Sequence, residues 1–233
     1  SIMKTDNTTD NHNTQVEDWM QEIWDWADTN NVPNSMIPRD PESLPHIKTL
    51  DIFFGQSITY KEGVKKVERS AFSTLPKAIV NLKKLKYLRL VGVDTKHLPT
   101  NFDQLDSLQT LVFLHPSFAE LPESVCDLKN LKSLNIFSRQ LQKLPDNFGN
   151  LSALESFDMR GTKVQHLPES IGNLHQLQSI ELYSNDLSSL PESLIGLRNL
   201  EQVKIAGSPH LQLSENMRQF LKDLGGELTP PKP

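Results

Sequence analysis

Cysteine is nearly absent: Cys126 stands alone among 233 residues. A single cysteine rules out intramolecular disulfides and points to a reducing compartment. Basic residues do not predominate. Lys and Arg number 24 against 29 Asp and Glu, a formal charge of −5 with pI near 5.8. That balance excludes nucleic acid as the main partner, since no excess of cations exists to displace counterions. No apolar run approaches the roughly 18 residues that a membrane span needs. Residues 1–14 are polar and lack the apolar stretch of a secretory signal, so residence in the cytoplasm, or export without such a signal, is expected. There is no Ser/His/Asp cluster, glycine-rich phosphate loop or paired-cysteine motif, and neither a cofactor nor a metal is expected.

What the sequence does have is a period. Leu-Pro falls at 75–76, 98–99, 121–122, 144–145, 167–168 and 190–191, with a constant spacing of 23, and one more step lands on Leu213-Ser214. Between these pairs an apolar skeleton returns in phase: Leu82, Leu85, Leu88 and Leu90 in one unit, Leu174, Leu177, Ile180 and Leu182 in another. Self-similarity at this period marks a stack of supersecondary units, none of which can bury its apolar face alone.

One full unit reads Leu167, Pro168, Ile171, Gly172 and Leu174, then Leu177, Ile180, Leu182, Asn185 and Leu187. This skeleton resembles the leucine-rich repeat family in its 23-residue form, over about residues 37–224. The resemblance implies an α/β fold: a right-handed solenoid, or horseshoe, with a parallel concave sheet and helical caps at both ends. The chain departs from the family pattern at the asparagine. The equivalent positions are Val93, Pro116, Arg139, Thr162, Asn185 and Ser208, so one unit keeps it and the other turns must be satisfied differently. Extracellular members usually carry cysteine-rich caps, which this chain cannot build. The segments around Trp26, Ala27 and Asp28 and around Val32, Pro33 and Ile37 to Asp40 resemble bacterial cytoplasmic members, some of which are delivered into host cells as effectors.

In chain order, residues 1–13 read as a disordered tail and 14–36 as a capping helix and turn. Thr14 and Glu17 have capping-box spacing. Val16, Trp19, Met20, Ile23, Ala27 and Trp26 share the apolar face, with Trp24 off it. Seven repeats fill 37–212. The first matches the second at an offset of 38, which makes room for a 15-residue insertion at about 53–73, with a hairpin over 60–67 around Glu62 and Gly63. That insertion reads either as a binding arm or as an elaborated cap. Residues 213–228 form the second cap, with Ser214 opening a helix whose stripe is Met217, Phe220, Leu221 and Leu224, and 229–233 a tail.

Stacking in register brings residues 23 apart to about 4.8 Å on the concave face. Its columns then read Tyr87, Thr110, Ser133, Ser156, Ser179, Gln202; Arg89, Val112, Asn135, Asp158, Glu181, Lys204; and Val91, Leu114, Phe137, Arg160, Tyr183, Ala206. Val112, Leu114 and Phe137 are expected to form an exposed apolar patch beside a charged zone of Asp158, Arg160, Glu181, Tyr183 and Lys204. The functional expectation is non-enzymatic binding of a protein partner by a monomer, through Tyr87, Arg89, Val112, Leu114, Asn135, Phe137, Asp158, Arg160, Glu181, Tyr183 and Lys204. A delivered effector acting on a host protein is one form of this reading. A scaffold resembling small-GTPase-binding repeat proteins is another. A third, of a different class, is a glycosidase: Asp158 and Glu181 as neighbours lie near the separation of a retaining carboxylate pair. Arg160 and Lys204 argue against it, as does an open curved sheet without a pocket. His97 and His166 share a column three repeats apart, about 14 Å, too far for one zinc. Cys126 reads as a small buried thiol.

Overall fold

A computed structural model describes residues 15–70 and 74–225. The tails at 1–13 and 229–233 and the proposed cap residue Thr14 lie outside them. Helix α1 (Asp18–Thr29) leads into β1 (Thr49–Phe53), then a hairpin of β2 (Gly55–Lys61) and β3 (Val64–Ser70). Six further strands follow at intervals of 23: β4 (Tyr87–Val91), β5 (Thr110–Leu114), β6 (Ser133–Phe137), β7 (Ser156–Arg160), β8 (Ser179–Tyr183) and β9 (Gln202–Ala206), before helix α2 (Glu215–Asp223). β1 and β4 to β9 form one seven-stranded parallel sheet in chain order, and β2–β3 a separate antiparallel pair.

The pleat divides each strand's work. Its second and fourth residues, such as Leu134 and Ile136 or Phe157 and Met159, are fully buried, while the intervening ones face the concave side. Each Leu-Pro opens the convex return. Pro168, for example, precedes the 3₁₀ turn Glu169–Asn173, fixing φ where no donor is needed, and the Ile171 amide donates to the Pro168 carbonyl at 3.0 Å. The apolar residue of each such turn plugs the core from behind. Phe148 meets Phe157 edge-on, ring centroids 5.0 Å apart.

The turns that lack asparagine are satisfied in different ways. Asn185 is buried; its amide donates to the Met159 carbonyl at 3.0 Å, and its Oδ1 accepts from the Thr162 amide and hydroxyl at 3.2 and 2.6 Å. Thr162 in turn accepts from the Val164 amide, and Ser208 donates to the Asn185 carbonyl. Ser138, one residue ahead of the family position, accepts from the amides of Gln140 and Leu141. Val93 and Pro116 are buried without any such group.

At the N-terminal end, α1 buries Met20, Ile23, Trp24, Trp26 and Ala27. Three expectations are corrected. Trp24 is not off the packed face, because the returning turn covers it and its Nε1 donates to the Pro38 carbonyl at 2.8 Å. Val16 lies before the helix and is exposed, and the helix begins with Glu17, not Thr14, at its N-cap. Arg39 clamps the turn, donating to Asp28 at 3.0 Å and to the carbonyls of Val32 and Ile37. Backbone amides of Ser43 and Glu42 donate to Asp40, and the Ser43 bond leads in holding its carboxyl below the usual value. At the other end Ser214 caps α2, accepting from the Met217 amide at 3.1 Å, and Met217 and Leu221 close the core.

The hairpin falls where expected but runs longer, over 55–70 rather than 60–67. Glu62 and Gly63 both have positive φ, as a two-residue primed turn requires. Its root is fixed. Phe54 is buried and stacked on His97 with centroids 4.8 Å apart, and its amide donates to the Val91 carbonyl. A Cβ on Gly92 would stand 2.4 Å from the Phe54 carbonyl oxygen, so only glycine fits there, at φ +73°. His97 Nδ1 accepts from the Asp94 amide at 2.8 Å, and burial first, then Lys96, holds its pKa below the usual value.

Two predictions follow from these contacts. Asn185→Ala leaves buried partners unsatisfied and should cost about 2–3 kcal/mol in denaturant unfolding. Because folding lowers the His97 pKa, the unfolded chain binds the extra proton below about pH 6.5, and its share of stability is lost as pH falls from there through the folded value. An NMR titration should place His97 below its ordinary pKa, and thermal stability between neutral and mildly acid pH should fall less steeply in His97→Gln.

Candidate protein-binding surface

The strand register brings the three concave columns together as the period requires. Arg89, Val112, Asn135, Asp158, Glu181 and Lys204 are successive register partners, as are Val91, Leu114, Phe137, Arg160, Tyr183 and Ala206. β1 extends both, adding Asp51 beside Arg89 and Phe53 beside Val91. Phe53, 42% exposed, heads the second column. Sequence reasoning assigned it to the insertion, although the offset of 38 that aligned Ile52 with Leu90 also aligns Phe53 with Val91.

The apolar part of the surface differs from expectation in one respect. Val112 is 8% exposed and so is not part of an accessible patch. Its lateral partners are Arg89 and Asn135, whose longer side chains stand on either side of a short β-branched one. Leu114 and Phe137 remain half-buried. The accessible apolar feature is therefore a column along one rim of the sheet rather than a central patch.

The charged zone is internally matched. Arg160 forks onto Asp158, Nε to Oδ1 at 2.8 Å and Nη2 to Oδ2 at 2.9 Å, and Nη2 also reaches Glu181 at 3.1 Å. Lys204 stands 3.6 Å from the other Glu181 oxygen, and Arg89 donates to Asp51 at 2.7 Å. The Arg160 guanidinium also lies 5.3 Å from the Phe137 ring centroid and 4.7 Å from that of Tyr183, joining the two aromatics into one block. Its bond to Asp158, then the nearby carboxylates, hold it above its ordinary pKa against a smaller opposing effect of burial, so it is always charged.

This arrangement suits contact better than catalysis. Asp158 and Glu181 are lateral neighbours, but Arg160 bridges both carboxylates on an open sheet, so neither stands free beside an enclosed pocket. Among the described residues no group of three or more His, Cys, Asp or Glu is placed to hold a metal, and no helix is long and apolar enough to cross a membrane. Cys126 is fully buried on the convex side, its thiol pushed up to about 12 by burial first and then by Asp127 and Glu123. An open groove of 610 Å³ on the flank is lined by Lys143, Lys163, His166, Asp146 and Asp186, and another of 500 Å³ lies beside Met36, Thr49 and Tyr87.

With fold and surface described, the relatives can be compared. Residues 64–159 match the family model of a leucine-rich repeat region. The fold is that of a leucine-rich repeat solenoid. The leucine-rich repeat domain of the type III effector XopL is similar at TM-score 0.58 and 21% identity, over 83% of this chain and 67% of that one. A chain of the Toll–Spatzle complex of Drosophila matches at 0.64 and 18%, covering 84% of this protein and 25% of that chain. The plant peptide hormone receptor RGFR1, in complex with RGF2, matches at 0.51 and 24%, covering 77% and 30%. The chain thus spans two thirds of the effector domain's length and under a third of the other two chains. At these identities the likeness is one of fold. No curated protein matches the sequence.

Proposed function

We propose that this leucine-rich repeat solenoid is a non-enzymatic recognition module that binds a protein partner on its concave face. One observation carries the reading: an accessible apolar and aromatic column, Phe53, Leu114, Phe137 and Tyr183, lies on the side of each strand that the core does not use. Aromatic anchors beside an arginine and polar neighbours concentrate binding energy in protein interfaces. The rigid sheet presents them preordered, so little is lost in ordering the receptor side. Tyr87, Arg89 and Asn135 form the polar surround, while Asp158 and Glu181 hold Arg160 between the two rings and Lys204 pairs with Glu181. Because these charges are matched among themselves, partner binding through the column should change little with salt.

The finer form of the reading is a host-directed role. The XopL domain, itself part of a type III effector, supports it only through likeness of fold. Quantitative affinity capture from bacterial and eukaryotic lysates tests both levels. The comparison is wild type against Phe137→Asp with Arg160→Glu, checked for an unchanged melting temperature. Proteins held by wild type and lost by the variant are expected, and the lysate that supplies them separates a host-directed role from a resident one. Equal capture by both forms would overturn recognition by the concave face.

A further inference from the structure

The repeats do not need the hairpin. β1 pairs with β4 in the same register that joins every later pair, although 38 residues rather than 23 separate them. The extra residues leave the ladder after Phe54 and rejoin it before Leu75, so they are additional to the fold. Two properties distinguish them. First, charge is segregated: residues 55–70 hold Lys61, Lys65, Lys66 and Arg69 against Glu62 and Glu68, a net of +2, which leaves −7 on the rest of a chain of −5. Second, β2 and β3 form a sheet of only two strands, so each presents one hydrogen-bonding edge with no further strand on it among the described residues. A two-stranded sheet is marginal alone, and a third strand is what makes such a sheet stable.

The position matters as much as the charge. β2 begins two residues after Phe53, the head of the concave column, and the Phe54–His97 stack and the close approach at Gly92 fix its root. We propose that the hairpin is a cationic arm that takes an extended, acidic segment of the protein partner as an added strand. The partner's backbone would pair with an open edge, while its carboxylates answer the lysines. The inference rests on the concave-face reading for the class of partner. It adds what that matched surface lacks, a region of unbalanced charge. A phosphate polymer is the less favoured occupant, because it has no peptide N–H and C=O groups to pair with the open edge.

The test uses the whole chain and fluorescence anisotropy with labelled probes: an alternating Glu-Thr peptide of about eight residues, its Lys-Thr counterpart, a Glu-Pro peptide and a short single-stranded DNA. The Glu-Thr peptide should bind and weaken about tenfold between about 50 and 300 mM salt, as contacts between exposed charges do. The Lys-Thr peptide should not bind. The Glu-Pro peptide, in which proline removes every second N–H and restricts the backbone, should bind much more weakly. Binding should be lost in the variant carrying Lys65→Gln and Lys66→Gln, which keeps the strand and removes charge, and in the fuller variant with Lys61→Glu and Arg69→Glu as well. It should persist in Phe137→Asp, so failure of the concave face and failure of the arm read out separately. Equal binding of Glu-Thr and Lys-Thr, equal binding of Glu-Pro, tighter binding of the DNA, or retention in the Gln variant would overturn the proposal.

Discussion

Parallel backbone pairing at a fixed step is the constraint on which the molecule depends. Each strand of the parallel sheet is five residues long and buries two or three side chains, too few to fold alone. Bonded to its neighbours at a constant offset, it adds one layer to a continuous core, closed by α1 at one end and α2 at the other. Register is therefore not adjustable locally: a slip of one residue would turn Leu134 and Ile136 outward and Asn135 into the core. Convex 3₁₀ turns, the buried Asn185 and Thr162 network and the left-handed residue after most strands all serve to return the chain to the same register.

The same constraint frees the concave face. A residue between two core positions points away from the core, so core packing does not fix its type. Here that freedom is used in two ways. Charged residues are spent on one another, with Arg160 held by Asp158 and Glu181 and stacked between two rings, while the rim carries a run of apolar and aromatic groups. The excess positive charge is carried on the hairpin instead, apart from the matched sheet.

How far the sequence revealed this follows from which interactions are periodic. The strands, their register, the 3₁₀ returns and the C-terminal cap were legible because each recurs or obeys a local capping rule. So were the site columns, including the closeness of Arg160 to both carboxylates. Features set by neighbours outside the period were not. Val112 is buried between its register partners Arg89 and Asn135 although it lies on the concave side, and the 33–38 turn folds back over Trp24. The role of Ser138 was hidden because it stands one position early. Phe53 was hidden because the insertion that follows it drew the boundary one strand residue too soon. The hairpin's outer residues, Gln56, Ser57 and Ser70, offer no alternation to extend the strands beyond the turn.

The division of labour between the two faces is the central claim, and neighbouring strands test it with a single residue type. Phe157 on β7 points into the core and is fully buried; Phe137 on β6 stands half-buried on the concave rim. The measurement is equilibrium unfolding of Phe157→Ala and Phe137→Ala. Phe157→Ala should cost about 3–5 kcal/mol, and Phe137→Ala about 1 kcal/mol, in line with its smaller buried apolar area. A loss at Phe137 as large as that at Phe157 would mean that the concave column is part of the fold's own core, and would contradict its assignment to a partner.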